Sequence, residues 1–116
     1  MRTAYYLLAL DIPEIISRFG GDREFAAECA GLFADELPAM LEALREGLRL
    51  ESAERVNRAA HALKGAAGNF SLAGPTVTAG EMERLARDGR LEDARPLQSV
   101  LERELARLLE GLQGLK

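Results

Sequence analysis

Several residue types are scarce in this chain, and each shortage excludes something. Of 116 residues one is cysteine, Cys29, so neither an internal disulfide nor a multi-cysteine zinc site can form. One is histidine, His61, which excludes a histidine-rich metal site and any mechanism that needs two imidazoles. Tryptophan is absent and the aromatics are 4 Phe and 2 Tyr, too few for base stacking to be the main function. Basic residues are outnumbered, 15 against 19, leaving a net charge of −4, which argues against a nucleic-acid binder driven by bulk charge. Valine is scarce and no segment alternates with period two, so strands are not expected. No run approaches the roughly 18 apolar residues of a membrane span. The apolar run Ala4–Leu10 follows Arg2 but is short, and Asp11 ends it without a small-residue cleavage site. The chain therefore reads as soluble and cytoplasmic.

What is present is helical pattern. Apolar residues make up 47% of the chain, enough for one domain over 1–116 with its core at about 11–112. A short first helix is expected from Asp11, a plausible N-cap, to Phe19, stopped by Gly20-Gly21. Asp22 caps a long second helix whose buried face reads Phe25, Cys29, Leu32, Phe33, Leu37, Met40, Leu41, Leu44 and Leu48. Pro38 lies inside that run and predicts a bend near residues 34–38. Cys29 falls on the stripe and reads as a structural thiol. A third helix, about Ser52–Phe70, buries Val56, Ala59, Ala60, Leu63, Ala67 and Phe70. A fourth starts at Pro75 and ends near Asp88-Gly89, packing Val77, Met82, Leu85 and Ala86. A fifth, about Leu91–Leu112, carries Leu97, Leu101, Leu105, Leu108, Leu109 and Leu112, with Pro96 in or near its first turn. Short turns between long amphipathic helices predict an all-α, antiparallel four-helix bundle with a short additional N-terminal helix.

The chemistry gathers around His61. A helix turns roughly 100° per residue, so His61 stands roughly 160° from the core residue Leu63 and faces solvent. Its neighbours on that face are Asn57, Arg58, Lys64, Gly65 and Gly68. Each glycine costs about 1 kcal/mol relative to alanine in a helix interior. Two of them beside the histidine leave bare backbone where another molecule can approach. Arg58 and Lys64 would attract an anion and disfavour protonation of the ring. An exposed neutral imidazole with room in front and cations beside it suits a phosphoryl acceptor. Helical arithmetic alone serves equally well a surface histidine with chance neighbours. A general acid–base pair of His61 and Glu83 is a third reading, but it needs a concave pocket that a narrow bundle does not offer.

The segment His61-Ala62-Leu63-Lys64-Gly65-Ala66-Ala67-Gly68-Asn69-Phe70 resembles the signature of histidine-containing phosphotransfer (HPt) domains, helical bundles of two-component phosphorelays. Asp11–Leu48, with its Gly-Gly-Asp turn, resembles the N-terminal helices of HPt domains attached to hybrid kinases. Glu81-Met82-Glu83-Arg84-Leu85, the Asp88-Gly89 turn and the leucine-rich last helix resemble the family's last two. The resemblance covers about residues 11–112. It implies that His61 is the phosphoacceptor through Nε2, that Lys64 steadies the phosphoryl group and that Gly65 gives clearance to an incoming receiver domain. Glu83, 22 residues after His61, would accept a hydrogen bond from Nδ1–H and so fix the tautomer. Read without the resemblance, Glu83 pairs with Arg87, its i+4 neighbour. The chain departs from the family at Ser71, where glycine is common, and at Gly80, where larger polar residues are common.

The implied function is a phosphorelay intermediate, a carrier and not an autonomous enzyme. Its partners would be a response-regulator receiver domain and a histidine kinase, with Asn57, Arg58, Lys64, Gly65 and Gly68 on the docking face. No metal or cofactor of its own is expected, Mg²⁺ belonging to the receiver, and the chain is expected to be a monomer. An HPt-like bundle that binds a receiver or kinase without being phosphorylated is the alternative.

Overall fold

The computed structural model describes residues 10–116, so the Ala4–Leu10 run lies, apart from Leu10, outside the described residues. Six helices follow in order: α1 (Ile12–Arg18), α2 (Arg23–Arg49), α3 (Ala53–Gly68), α4 (Pro75–Arg87), α5 (Leu91–Ala94) and α6 (Leu97–Leu112), with a final 3₁₀ turn at Gln113–Leu115. No strand occurs among the described residues. The fold is the expected all-α bundle, with α2, α3, α4 and α6 as its long members.

Local chemistry sets the boundaries. Asp11, Asp22 and Ser52 each accept a hydrogen bond from a first-turn amide, of Glu14, Phe25 and Arg55 respectively. Such caps replace a partner that the helix start lacks. Gly20 and Gly21 both have positive φ, 72° and 81°, which reverses the chain between α1 and α2 at no steric cost. Pro75 opens α4 at its first turn, where a missing N–H costs nothing.

The last helix differs from expectation. It is split, α5 ending at Ala94 and α6 starting at Leu97. Pro96 keeps helical dihedrals (φ −62°, ψ −20°) but has no N–H to donate, and Gln98 donates only three residues back, to the Arg95 carbonyl at 3.1 Å. Pro38 does not split its helix: α2 runs through it as one 27-residue helix, the single element expected there.

The helices form a ring in which α2 packs on α3, α3 on α4, α4 on α6 and α6 back on α2. The contact between α3 and α4 is the most extensive. At the α2–α3 corner Gly47 makes the close approach possible: a Cβ there would lie 3.0 Å from the Val56 amide nitrogen. Leu44, Val56, Leu63, Met82, Leu101 and Leu105 fill the centre, and no polar or charged residue is buried among the described residues. α1 lies across one end, with Phe19 stacked on Phe70 at 5.7 Å and Phe70 against Phe33 at 5.5 Å. The C-terminal turn is tied to α2 through Arg23, which donates to the carbonyls of Gly114 (2.6 Å) and Leu115 (3.2 Å).

Three residues assigned to the core by periodicity lie outside it. Phe25 is 50% exposed, Leu32 61% and Val77 62%. In the first half of α2 the buried positions are Ala26, Ala30, Phe33 and Leu37, so the inward face is turned away from the larger residues beside them. Cys29 is half-buried and reduced.

Candidate functional site

His61 sits at the middle of α3 with Ala60 and Leu63 turned inward, and its side chain is 68% exposed. Across the α3–α4 seam stands Glu83, whose side chain is only 14% exposed. Its Oε2 lies 2.6 Å from His61 Nδ1, and its Oε1 lies 2.7 Å from Lys64 Nζ. One carboxylate therefore joins the histidine and the lysine. Position 83 belongs to the helix that packs most closely on α3, which is why a residue 22 positions away can reach the ring.

The ionisation of Glu83 fixes the direction of the histidine bond. Its carboxyl is held below the usual carboxylate range, first by the hydrogen bond from Lys64 and further by that from His61, against burial, which works upward. An ionised carboxylate only accepts, so Nδ1 carries the proton and donates. With the proton of the neutral tautomer at Nδ1, the lone pair lies at Nε2, on the exposed side of the ring. The alternative pairing of Glu83 with Arg87 is not formed. Arg87 approaches Asp88 instead, at 3.9 Å.

The remaining residues of the predicted face divide. Gly65 is open: a Cβ there would meet nothing within 4 Å. Gly68 is not open in the same way. A Cβ at Gly68 would lie 3.7 Å from Thr76 Cγ2, and its carbonyl accepts from Arg18 at 3.3 Å, so it serves the packing of α1 and α4 on the end of α3. Asn57 is turned to the seam, its side-chain amide donating to the Glu83 carbonyl at 2.9 Å. It braces α3 on α4 beside the carboxylate. Arg58 pairs with Glu54 at 2.9 Å on its own helix. Both cations beside the histidine are thus engaged by carboxylates, Arg58 by Glu54 and Lys64 by Glu83. This revises the picture of two free cations beside the ring: Glu54 was readable as the i−4 neighbour of Arg58, whereas Glu83 stands on the opposite helix, which helical arithmetic does not see.

Gly80 and Ser71 also find their places. A Cβ at Gly80 would lie 3.3 Å from Lys64 Cδ, so the lysine stem runs past it on the way to Glu83. Ser71 stands in the α3–α4 loop, where its hydroxyl accepts from the Ala73 amide and its carbonyl accepts from Thr76 Oγ1 at 2.6 Å. Beside the histidine face, α1, α2 and α3 enclose an open groove of about 290 Å³, lined by Phe19, Cys29, Leu32, Phe33, Ala66 and Asn69 among others. The exposure of Leu32 belongs to this groove. Periodicity assigned that side chain to the core and so missed the groove. Among the described residues no cluster of three or more His, Cys, Asp or Glu is placed to hold a metal ion. No described helix is long and apolar enough to cross a membrane.

The crystal structure of the HPT domain from the Hpt sensor hybrid histidine kinase from Shewanella superposes on this fold with a TM-score of 0.79. The two are 20% identical, and the match covers 93% of each chain. No curated protein matches the sequence significantly. The sequence model of the Hpt domain matches residues 28–111, a span that takes in the histidine, the lysine, the glutamate and the helices that carry them. On that match, the chain belongs to the Hpt domain family, the histidine-phosphotransfer modules of two-component phosphorelays.

Proposed function

We propose that His61 accepts a phosphoryl group at Nε2 from the aspartyl phosphate of a receiver domain and passes it to a second receiver. The observation that carries this reading is the ring itself: exposed, tethered through Nδ1 to a carboxylate, and free on the opposite nitrogen. The Nε2 lone pair attacks phosphorus in line. An N–P bond forms as the P–O bond to the aspartate breaks, and the aspartate leaves as carboxylate. Positive charge develops on the ring and is met by Glu83 at 2.6 Å. Mg²⁺ on the receiver neutralises the transferring group, and this chain contributes no metal.

The docking face is the exposed side of α3 around His61 and Gly65, continued by the groove against α2. Exposed Leu32 and half-buried Cys29 and Phe19 offer apolar surface there. A transient contact of modest area suits a carrier that must release two partners in turn. Lys64, held by Glu83 before transfer, gains a second anionic partner once Nε2 is phosphorylated. The domain acts as a cytoplasmic monomer, and a histidine kinase feeds the relay upstream.

The test is transfer from a panel of phosphorylated receiver domains to wild type and His61→Gln in parallel. Acid-labile, base-stable label on wild type alone is the expected outcome. Label on both proteins would place the acceptor elsewhere. Binding of a receiver without label on either protein would make the domain a docking module. His61→Gln should keep its thermal midpoint within a few degrees, because the ring is largely exposed and Lys64 still holds the Glu83 carboxylate.

A further inference from the structure

Gly80 stands in the interior of α4, one turn before Glu83. It occupies no turn, and its φ is not positive. Glycine is a poor helix former in such a place, so its presence asks for a reason. The reason is on the neighbouring helix. The 3.3 Å between a Cβ at Gly80 and Lys64 Cδ means that the missing side chain leaves the path along which the lysine stem crosses α4. At the end of that path Nζ meets Glu83 Oε1 at 2.7 Å. The other oxygen, Oε2, meets His61 Nδ1 at 2.6 Å.

The residue type on α3 fits the path. Lys64 and Lys116 are the two lysines among 15 basic residues. Elsewhere the chain uses arginine, whose planar guanidinium is wider than a lysine stem and its compact ammonium.

We infer that Gly80 is a positioning residue for the phosphoacceptor: it opens the seat in which Lys64 lies along α4, and Lys64 in turn holds the Glu83 carboxylate so that Oε2 faces His61 Nδ1. A carboxylate held at one oxygen turns readily about its last bond, since that torsion is broad. Held at both oxygens, it cannot turn without losing a bond. Lys64 therefore orients the imidazole through Glu83 before any phosphoryl group arrives, and Gly80 makes this possible. The consequence for transfer rests on the phosphoacceptor reading of His61. The geometry does not.

The experiment compares wild type with Gly80→Val, Gly80→Ala, Lys64→Ala and the Gly80→Val/Lys64→Ala double variant, all as the full chain. The first readout needs no phosphoryl group. Trace acetylation by acetic anhydride is quantified by peptide mass spectrometry, with Lys116 as internal standard. Gly80→Val should raise the Lys64-to-Lys116 labelling ratio severalfold, because its two γ-methyls obstruct the stem. Gly80→Ala should leave the ratio nearly unchanged, since the stem need yield by only a few tenths of an ångström, and should raise the thermal midpoint. The second readout is the Nδ1–H tautomer share from imidazole nitrogen shifts, which should fall in Gly80→Val. The third is transfer rate from a phosphorylated receiver. It should fall severalfold in Gly80→Val, and Gly80→Val should add nothing once Lys64 is alanine.

Equal Lys64 labelling in wild type and Gly80→Val overturns the inference. So does a Gly80→Val effect on tautomer or rate that is as large without Lys64 as with it. A wild type that takes no label from any receiver defeats the phosphoacceptor reading alone, and the acetylation and tautomer readouts still decide the role of Gly80. Where branching at position 80 unfolds α4, Gly80→Gln, a stronger helix former, repeats the comparison.

Discussion

At the scale of single residues, the site is a division of labour around one carboxylate. Glu83 is ionised below the usual range, so its contribution to stability is fully present above the ordinary carboxylate pKa of 4.5 and is lost as pH falls through the depressed value. Glu83→Gln should therefore be less stable than wild type at pH 7, and the gap should narrow as pH falls below 4.5. Urea denaturation across that pH range checks this, and a gap that does not narrow in acid would show that packing and not charge is at stake. The same substitution leaves Nδ1–H without its ionised acceptor, and transfer to His61 should slow roughly tenfold, as loss of an orienting partner does elsewhere. Gly65 gives the converse case. Nothing lies within 4 Å of a Cβ there, so Gly65→Ala should stabilise the domain by up to about 1 kcal/mol, whereas Gly65→Leu should block receiver docking while the fold stays intact. Unimpaired transfer by Gly65→Leu would remove Gly65 from the docking face. The exposure of His61 follows from its two-residue offset from Leu63. The partner of Lys64 does not follow, because a sequence holds no distance between α3 and α4.

At the scale of elements, caps and glycines were readable and the orientation of faces was less so. Asp11, Asp22 and Ser52 announce their helices, and each makes the cap bond that its type and position suggest. The first half of α2 shows what periodicity misses. Phe25 and Leu32 belong to the apolar stripe by spacing, yet small residues, Ala26 and Ala30, occupy the interior. Leu32 instead lies at the rim of the groove by Ala66 and Asn69, and Phe25 stands edge-on to Phe19 at 5.6 Å. The Gly47–Val56 corner is the sharpest such contact. Gly47→Ala should cost about 1–3 kcal/mol, since backbone and not a flexible side chain stands 3.0 Å from the added carbon. Thermal unfolding measures it, and a midpoint at or above that of wild type would mean that the corner relaxes.

At the scale of the whole molecule, stability comes from the ring closing on itself. Leu105 of α6 is fully buried with Leu44 of α2, Leu63 of α3 and Met82 of α4 in one core. Leu105→Ala should cost about 2–5 kcal/mol by lost burial and the cavity left behind. A chemical denaturation midpoint shifted with an unchanged slope is the expected signature, and a changed slope would mean that the bundle no longer unfolds as one unit. Because the site is carried by α3 and α4 alone, this variant, where folded, should keep the His61–Glu83 contact.

The residue pattern alone determined the helical class, the number of long helices, most of the core and the outward direction of His61. These depend on spacing along one chain, which a helix converts directly into direction. The joining of Glu83 to both His61 and Lys64, the turning of Asn57 and Gly68 towards α4 and the room that Gly80 leaves for a lysine were decided by the folded structure. These contacts cross from one helix to the next. They exist only once packing has set the separation and register of helices whose residues lie far apart in the chain.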